Sequence, residues 1–452
     1  MKKLASIVAG VVLVALAFNV ASAQSVHSNA TNNKSSCKAK GTISYMYWGD
    51  KGEQIEQQAA VKQVEQQCPG IKVNQMYTPN NYDTLLANDI GSGNAPTVFQ
   101  LDAGKRIPEF VATDHALTNL SPYAKADKFS PGKIYWPACA QQGYYKGNLY
   151  GLMRDCSNQA MVLYNKDMFK ARGVKAPTNS WTLATLKSDA AKLTGIYSLP
   201  KDSNKIARFG IGVQNDDFRI NTYMYEFGGN WLTSKNKCGF TSKGSEQGLQ
   251  WWHDLMYKSP QGAPTWTQQS VSGYDPYDAF KNQKEGMYMA GAWALDYLVK
   301  PSPYTGQSPV KFNWGVVLPP KGPVSQHGLI DSAVEGVYSG APKSLKYVAW
   351  EFIKHLTTTS AAAQEAAFGI GLPGSVALSY SSLTKKEYAP YWKTWIMGNQ
   401  YGQVERSIPT YDKYVGDTLG SSSSPIQQFW GNSSETAAQA ATAACQASSG
   451  DF

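Results

Sequence analysis

Along the first hundred residues, segments in which the apolar residues have the spacing of a strand alternate with segments in which they have the spacing of a helix. Three segments rich in β-branched and aromatic residues, 41–48, 71–73 and 96–101, are strand candidates. Between them, residues 53–67 and 82–90 carry apolar side chains at helical spacing. Strand, helix, strand, helix, strand predicts a parallel sheet covered by helices.

Two further helices are predicted nearer the C-terminus. An alanine-rich helix is expected at residues 436–447, after a serine-rich segment. The other helix has one apolar stripe, which indicates a surface that faces a core. The stripe consists of Leu345, Val348, Ala349, Phe352, Ile353 and Leu356.

The N-terminus has the pattern of a secretory signal peptide. Lys2 and Lys3 precede an apolar run at 4–18, and small residues at 21–23 provide a cleavage site. We expect a signal peptide at 1–23, a polar leader at 24–37 and a soluble mature chain. No cysteine lies at the cleavage point, so a periplasmic protein is expected rather than a lipoprotein.

The six cysteines all follow the predicted signal peptide, where oxidising conditions permit 15 possible pairings. Cys37 and Cys68 flank a strand and its following helix, and therefore lie at the same sheet edge. Cys139 and Cys156 are equidistant from Gly147-Asn148, and a hairpin turning there would bring them together, with Tyr145 opposite Tyr150. Cys238 and Cys445 then pair by elimination. No close Cys/His spacing indicates a metal site.

Composition and charge exclude several classes of protein. Hydrophobic residues make up 42% and charged residues 17% of the 452 residues, as in soluble globular proteins. The net charge is +9, but the basic residues are dispersed in runs of at most two, so no nucleic-acid partner is expected. The sequence has no HExxH, GxSxG or P-loop motif. We therefore expect no enzyme activity, no cofactor and no metal.

Seven segments are informative together. They are WGDKG at 48–52, CPGIKV at 68–73, GSGNAP followed by TVFQLD at 91–102, GNLYGL at 147–152, LYNKDMF at 163–169 followed by Gly173 and Trp181, AF through EGM at 279–287, and AGAW at 290–293. In their order and spacing, these segments resemble the extracellular solute-binding proteins of ABC sugar importers, the family that includes the maltose-binding type. The resemblance covers nearly the whole mature chain.

The resemblance implies an α/β fold of two lobes, each a mixed, mostly parallel sheet flanked by helices, with the ligand cleft between them. The N-terminal lobe is expected to take residues 38–157 and 326–372. The C-terminal lobe is expected to take 158–325 and 373–452. Such a cleft lies where strands end and helices begin.

Sugar recognition combines flat rings, which cover the apolar face of a pyranose, with charged or amide groups, which bind its hydroxyls. The resemblance implies ten sugar-binding residues: Trp48, Asp50, Lys51, Asp102, Arg154, Asn158, Asp216, Phe218, Trp293 and Tyr411. For some of them a structural role is the alternative. Asp50 would then cap a helix, Trp48 and Trp293 would lie in the core, and Arg154 would pair with Asp155.

One departure from the family concerns the length of the ligand. Maltose-type members have a tryptophan near the position of Gln100, so a platform for extended maltodextrins is not expected here.

Taken together, these features predict a monomeric periplasmic protein that binds a mono- or small oligosaccharide and delivers it transiently to a membrane permease.

Two alternatives remain open at this point. One is a secreted enzyme acting on polysaccharide through paired carboxylates. The other is a binding protein for a non-sugar solute, either iron held by clustered tyrosines or a polyamine. Lys51 and Arg154 oppose the polyamine, which should prefer an acidic cleft.

Overall fold

The computed structural model describes residues 37–452, except 103, 201, 272–275, 296–297, 299–309, 369–370, 382–383 and 385–390. The predicted signal peptide (1–23) and the predicted leader (24–37), apart from its last residue, lie outside the described residues.

The described residues form strands and helices in alternation. The strands are β1 Gly41–Tyr47, β2 Ile71–Tyr77, β3 Val98–Asp102, β4 Tyr144–Tyr145, β5 Asn148–Leu149, β6 Gly151–Met153, β7 Ser157–Asn158, β8 Met161–Asn165, β9 Gly195–Tyr197, β10 Ile206–Ile211, β11 Glu285–Ala290, β12 Trp314–Val317, β13 Gly328–Asp331, β14 Ala333–Val337 and β15 Gly402–Val404. Short 3₁₀ turns are found at Gly104–Arg106, Ala292–Ala294 and Asn399–Tyr401.

The helices, in chain order, are α1 Lys51–Gln67, α2 Tyr82–Gly91, α3 Ile107–Ala112, α4 Ser121–Ala126, α5 Pro131–Ile134, α6 Pro137–Gln142, α7 Lys166–Ala171, α8 Leu183–Leu193, α9 Asp217–Tyr225, α10 Lys243–Tyr257, α11 Trp266–Val271, α12 Pro276–Lys281, α13 Lys343–Thr358, α14 Gln364–Ala367, α15 Val376–Ser379, α16 Trp392–Gly398, α17 Tyr411–Thr418, α18 Pro425–Gly431 and α19 Ala437–Ala447.

The first large sheet has the strand order β2-β1-β3-β14-β6. β1 pairs in parallel with β2 and β3, whereas β14 is antiparallel to β3 and to β6. Four of its five strands therefore run in one direction. The first three strands and the two helices between them lie where the periodicity predicts, and β2 continues to Tyr77.

Helix α13 packs on this sheet through the predicted apolar stripe. Val348, Phe352 and Ile353 are fully buried, and Leu345 is half-buried against the same core. The C-terminal helix α19 also begins where the sequence predicts, because Thr436 caps it and Gln439 completes the capping box.

The second large sheet has the strand order β12-β8-β11-β10-β9. β10, β11 and β12 run in one direction, and β8 and β9 oppose them. Alternate residues of β8 face different cores: Leu163 packs with the core of the first sheet, and Val162 packs with a separate core that includes Trp252. Both sheets are mixed, with most strands running in one direction, as expected.

Two short strands connect the large sheets. β7 lies between β6 and β8 in the chain, and β13 lies between β12 and β14. These crossing strands pair antiparallel, with Ile330 opposite Asn158 and Asp331 opposite Ser157, and β15 joins β13 on its other side. The exact lobe boundaries stay a prediction.

The predicted disulfides are all formed. The bridges are Cys37–Cys68, Cys139–Cys156 and Cys238–Cys445. The route to the second bridge differs from the expected one, because Cys139 lies on α6 and Cys156 follows β6. These two cysteines therefore do not face each other across a hairpin.

The hairpin itself turns one residue earlier than predicted. Tyr145 pairs with Asn148 rather than with Tyr150, so the expected register is wrong. Lys146 and Gly147 form the turn, and both have positive φ angles, 46° and 80°. A two-residue turn that matches the twist of the strands requires this left-handed backbone at both central positions. The position of this turn sets the register of β4 against β5.

Candidate functional site

A cavity of about 210 Å³ lies where strands of both large sheets end. Trp48 follows β1 and Asp102 ends β3 in the first sheet, and Trp293 lies three residues after β11 in the second. Carboxyl ends of strands are the usual ligand sites of open α/β sheets. The cavity is lined by Trp48, Glu53, Gln100, Asp102, Arg154, Asp155, Ser157, Gln159, Phe218, Arg219, Trp293, Asp331, Ser332, Ala333, Glu365 and Gly371.

The structure brings together half of the residues predicted from sequence. Asp216 and Tyr411 line a neighbouring cavity instead. Asp50, Lys51 and Asn158 line neither of the two. The predicted residues in the first cavity are Trp48, Asp102, Arg154, Phe218 and Trp293.

Trp293 lies in the 3₁₀ turn that follows β11. Its Nε1 donates a hydrogen bond to Gln159 Oε1 at 2.9 Å, which fixes the indole plane. A Cβ on Gly291 would lie 2.5 Å from Gln159 Oε1 and 2.8 Å from the Trp293 ring, so only glycine permits this arrangement. Trp293 is half-buried, and the Arg219 guanidinium lies 5.9 Å from the centre of its ring.

Two other aromatic rings contribute to the wall. Trp48 is half-buried and meets Tyr82 edge to face, with ring centres 5.0 Å apart. Phe218, on α9, has the Lys105 ammonium 4.0 Å from its ring centre. Elements of both sheets therefore contribute aromatic surface to one cavity.

Arg154 forms the centre of a buried cluster of carboxylates. Its Nη2 lies 3.1 Å from Glu56 Oε2, and its Nη2 and Nε lie 2.9 and 3.0 Å from Glu365 Oε2. The guanidinium is thus held by Glu56 and Glu365, and the alternative pairing with Asp155 is wrong. Asp155 instead accepts the Ala333 amide at 2.6 Å.

Acids around Arg154 outnumber it, and their pKa values respond. Burial raises the pKa of Glu53 to about 7, although Arg154 and the Asp50 amide oppose the shift. Burial, reinforced by Glu365, likewise raises the pKa of Asp155 to about 7. The pKa of Glu56 is raised well above its ordinary value, again chiefly by burial. One guanidinium does not offset the desolvation of so many carboxylates.

Two buried polar atoms at this cavity have no hydrogen-bond partner among the described residues. They are Gln100 Oε1, an acceptor, and Arg219 Nε, a donor. Gln100 is 1% exposed and Arg219 4%. Because buried polar groups are nearly always satisfied, an unpaired acceptor and an unpaired donor in one cavity indicate a polar ligand.

The neighbouring cavity, of about 370 Å³, shares Asp102 with the first. Lys105 is buried beside it, 2.6 Å from Asp217 Oδ2 and 3.7 Å from Asp102 Oδ2. Tyr411 donates its hydroxyl hydrogen to the same Asp217 oxygen at 2.8 Å. Lys105 follows β3, and Asp217 begins α9, so this ion pair joins an element of the first sheet to one that packs with the second core.

Asp50 and Lys51 begin helix α1. Asp50 Oδ1 accepts the amides of Gly52 and Glu53 at 2.7 and 3.0 Å, and Glu53 Oε2 accepts the Asp50 amide at 2.6 Å. This is a capping box, the alternative interpretation given for Asp50. Lys51 is exposed, and its Nζ contacts Gln54 Oε1 at 2.6 Å.

Asn158 is 1% exposed and serves the backbone. Its Nδ2 donates to the Gly398 carbonyl at 2.8 Å, and its Oδ1 accepts the Ala160 amide at 2.9 Å. Its neighbours Ser157 and Gln159 line the cavity in its place. Side chains of an extended segment alternate in direction, so a difference of one residue exchanges the cavity-facing set.

Sequence reasoning missed several residues of the cavity. Glu53 belongs to a recognisable sequence pattern, because it is the third residue after the capping Asp50. That pattern predicts the start of a helix, however, and not a ligand-binding residue. Arg219, Asp331 and Glu365 had no local signal. They reach the cavity only through the packing of α9, β13 and α14.

Potential metal ligands and membrane-spanning helices are two further features of interest in the described residues. A group of potential metal ligands among the described residues combines Cys37, Cys68, Glu351 and His355. The two cysteines form a disulfide, so they offer no thiolate. Within the described part of the chain, no helix has both the length and the apolar character needed to span a bilayer.

Residues 50–363, more than half of the chain, match the family described as bacterial extracellular solute-binding proteins. Proteins of Brucella abortus strain 2308 and Brucella suis biovar 1 strain 1330, whose names class them as candidate binding proteins, are 27% identical to the chain over 198 residues. The match covers 42% of this chain and 42% of each relative. The chain thus spans about two fifths of the length of the curated relatives it matches.

Solved structures resemble the chain over most of its length. The ABC substrate-binding protein Lmo0181 from Listeria monocytogenes, in complex with cycloalternan, has a TM-score of 0.75 at 22% identity, covering 91% of this chain and 98% of that one. Maltose-bound MalE3 of T. maritima has a TM-score of 0.71 at 19% identity, covering 90% and 98%. These likenesses confirm the two-lobed binding-protein fold predicted from the sequence.

Proposed function

Since the chain belongs to the family of bacterial extracellular solute-binding proteins, we propose that it captures a mono- or small oligosaccharide and delivers it to the membrane permease of an ABC importer. Structural neighbours are named as complexes with cycloalternan and with maltose. The protein acts as a monomer in the periplasm, after removal of the predicted signal peptide.

The main support is the composition of the cavity. Half-buried rings of Trp48 and Trp293 lie beside buried charged and amide groups, at strand ends of both sheets. A pyranose needs both, since its C–H face packs on a ring and its hydroxyls donate and accept hydrogen bonds. The unpaired atoms Gln100 Oε1 and Arg219 Nε supply one acceptor and one donor for such hydroxyls.

The size of the cavity favours a short saccharide. Its volume of about 210 Å³ is below the range of about 300–1,000 Å³ that is usual for drug-sized ligands. Gln100, near the position where maltose-type members have a tryptophan, lines the cavity. The neighbouring cavity, beyond Asp102, adds room for a second or third sugar ring.

Capture depends on closure of the lobes. A ligand that touches elements of both sheets does so fully only in the closed form, and therefore shifts the population toward that form. The permease recognises the closed, loaded protein. Paired strands β7 and β13 are the segments across which the lobes turn.

No bond is made or broken in this function. Glu53 and Asp155, whose pKa values lie near 7, are the observation that favours a second candidate, a glycoside hydrolase with an acid and a base. Incubation of the purified protein with oligosaccharides distinguishes the two. A binder leaves the reducing-end content unchanged, whereas turnover that Glu53→Gln abolishes would establish the enzyme.

A thermal-shift panel of sugars tests the proposal directly. A ligand at 100 times its Kd adds about 2.7 kcal/mol to the free energy of unfolding, so the correct sugar raises Tm. Iron and spermidine are included as non-sugar arms. A rise in Tm with one of these, and with none of the saccharides, would contradict carbohydrate capture.

The Trp293→Ala variant tests the proposed stacking. Loss of the ring should weaken the best sugar by about 1 kcal/mol or more, roughly fivefold in Kd by calorimetry. Trp251→Ala is the matched control, because Trp251 is also half-buried but lies on α10 and does not line the cavity. Equal affinities in the wild type and Trp293→Ala would assign the indole to the fold rather than to the ligand.

A further inference from the structure

The acidic side chains that line the cavity outnumber its basic side chains. Two of its lining residues, Arg154 and Arg219, are bases. Arg154 is occupied by Glu56 and Glu365, and Arg219 lies 3.2 Å from Asp216 Oδ1 and 3.1 Å from the Met289 carbonyl. The lining acids are Glu53, Asp102, Asp155, Asp331 and Glu365.

Three of the lining acids, Glu53, Asp155 and Asp331, form no ion pair with any residue in the described part of the chain. Lys105 lies near Asp331. Glu53 and Asp155 have only Arg154 as a neighbouring cation, and Glu56 and Glu365 already hold its guanidinium. Glu53 and Asp155 each have one carboxylate oxygen held by a backbone amide, Glu53 Oε2 by Asp50 and Asp155 Oδ1 by Ala333, both at 2.6 Å. Their second oxygens accept no hydrogen bond from a described residue, so two fixed acceptors are left at the cavity.

Gln100 provides a second, independent observation. It lines the same cavity, it is 1% exposed, and its Oε1 has no donor among the described residues. An amide oxygen, like a carboxylate oxygen, accepts and does not donate. The cavity therefore combines three acceptor oxygens that receive no hydrogen bond within the described part of the chain, two of them on carboxyl groups.

We propose that the saccharide captured by this protein carries a protonated amino group, which binds at Glu53, Asp155 and Gln100. An ammonium has three donors and one positive charge, so it supplies hydrogen to these acceptors and pairs with a carboxylate that has no cation of its own, whereas a hydroxyl brings no charge. This inference rests on the proposed carbohydrate-binding function and names its ligand class, an amino sugar.

The structure removes the objection to a cationic ligand that the sequence raises. Lys51 is exposed on α1 and does not line the cavity, and the charge of Arg154 is taken up by Glu56 and Glu365. Burial raises the pKa of Glu53 and of Asp155 to about 7, so a cation bound beside these two groups lowers both pKa values. The indole of Trp293 in the same cavity favours a sugar that bears the amine over a linear polyamine.

Calorimetry on the full mature chain with matched probes tests the inference. The probes are D-glucosamine, N-acetyl-D-glucosamine and D-glucose, the corresponding galactose series, and the chitosan disaccharide with chitobiose and cellobiose. Within at least one series, the amine should bind about tenfold or more tightly than both the acetamide and the hydroxyl sugar. Equal or tighter binding of the neutral members in every series would overturn the inference.

Two substitutions locate the contact. Glu53→Gln keeps the capping box, because glutamine can occupy that position, and it should reduce affinity for the amino sugar about tenfold without changing affinity for its neutral counterpart. Asp155→Asn keeps an acceptor for the Ala333 amide and should act in the same way. Glu246→Gln, in the first turn of α10 and outside the cavity, is the control. Unchanged amine affinity in both cavity variants would overturn the assignment.

The outcomes separate this inference from the proposed function. Tight binding of neutral sugars, with no preference for the amine, overturns the inference and leaves carbohydrate capture standing. Binding of spermidine, with no binding of any saccharide at millimolar concentration, overturns both. Preference for the amine that Glu53→Gln removes supports both.

Discussion

Glu335 allows the energetics of the buried acidic cluster to be measured. It lies on β14, fully buried, and its Oε1 accepts the Tyr45 hydroxyl at 2.8 Å. Its Oε2 has no partner among the described residues. Burial raises its pKa from 4.5 to about 7, with Arg154 and the Tyr45 bond opposing and Glu365 adding to the shift.

The sign of the pH effect follows from this direction. Above about pH 4.5 the unfolded chain loses the Glu335 proton, while the folded chain keeps it up to about pH 7. The free energy of unfolding therefore falls across this range and is constant above it. Each pKa unit corresponds to about 1.36 kcal/mol, so the loss from this group is about 3 kcal/mol.

Glu335→Gln removes the titration and keeps an acceptor for Tyr45. We expect the difference in unfolding free energy between variant and wild type to change by about 3 kcal/mol, in favour of the variant, between about pH 4 and pH 8. Any packing cost of the amide is the same at both pH values and cancels. Urea denaturation, followed by tryptophan fluorescence at both pH values, measures the free energy of unfolding of the variant and of the wild type.

Glu246→Gln on α10 serves again as the control, since it also deletes a carboxylate but lies outside the cluster. A difference for Glu335→Gln that stays constant with pH would refute the assignment of a strongly raised pKa to this residue. Such a result would also argue against the conclusion that the Arg154 guanidinium does not offset the desolvation of the carboxylates around it.

Three other predictions concern residues around the site. Lys105→Met should lower the free energy of unfolding by about 3–5 kcal/mol, measured by urea denaturation, because it leaves the largely buried Asp217 carboxylate without its cation; a loss below 1 kcal/mol would contradict a buried ion pair. Asp50→Ala should cost about 1 kcal/mol of stability through loss of the α1 cap, with unchanged sugar affinity by calorimetry; a tenfold loss of affinity would return Asp50 to the binding site. Replacing Cys238 and Cys445 by alanine should destabilise the protein by about 5 kcal/mol and replacing Cys139 and Cys156 by about 3 kcal/mol, because the loops span 207 and 17 residues; thermal melts of the two double variants in the reverse order would oppose the loop-entropy account.

Local periodicity was sufficient for the first sheet and its helices. The stripe from Leu345 to Leu356 and the alternation up to Asp102 are properties of consecutive residues, which one core-facing surface dictates. The family resemblance supplied what periodicity lacks, the second sheet and the cavity between strand ends. Together they located Trp48, Asp102 and Trp293 at one site.

The remaining site residues depend on information that no short segment contains. Arg154 meets Glu56 and Glu365, which are 98 and 211 residues away in the chain, so the expected pairing with adjacent Asp155 failed. Asn158 lies between the cavity-lining residues Ser157 and Gln159, because an extended chain exchanges faces at each residue. Both differences reflect the direction of a side chain rather than its chemical type.

The two short strands that connect the large sheets, β7 and β13, pair with each other. Ser157 and Asp331 lie opposite each other in this pair, and both also line the cavity. Ser157 Oγ further accepts the amide of Ala292, next to Trp293. Under the proposed closure, a ligand in this cavity contacts the strand pair that links the two sheets, so its contacts with Ser157 and Asp331 couple binding directly to the movement of one sheet relative to the other.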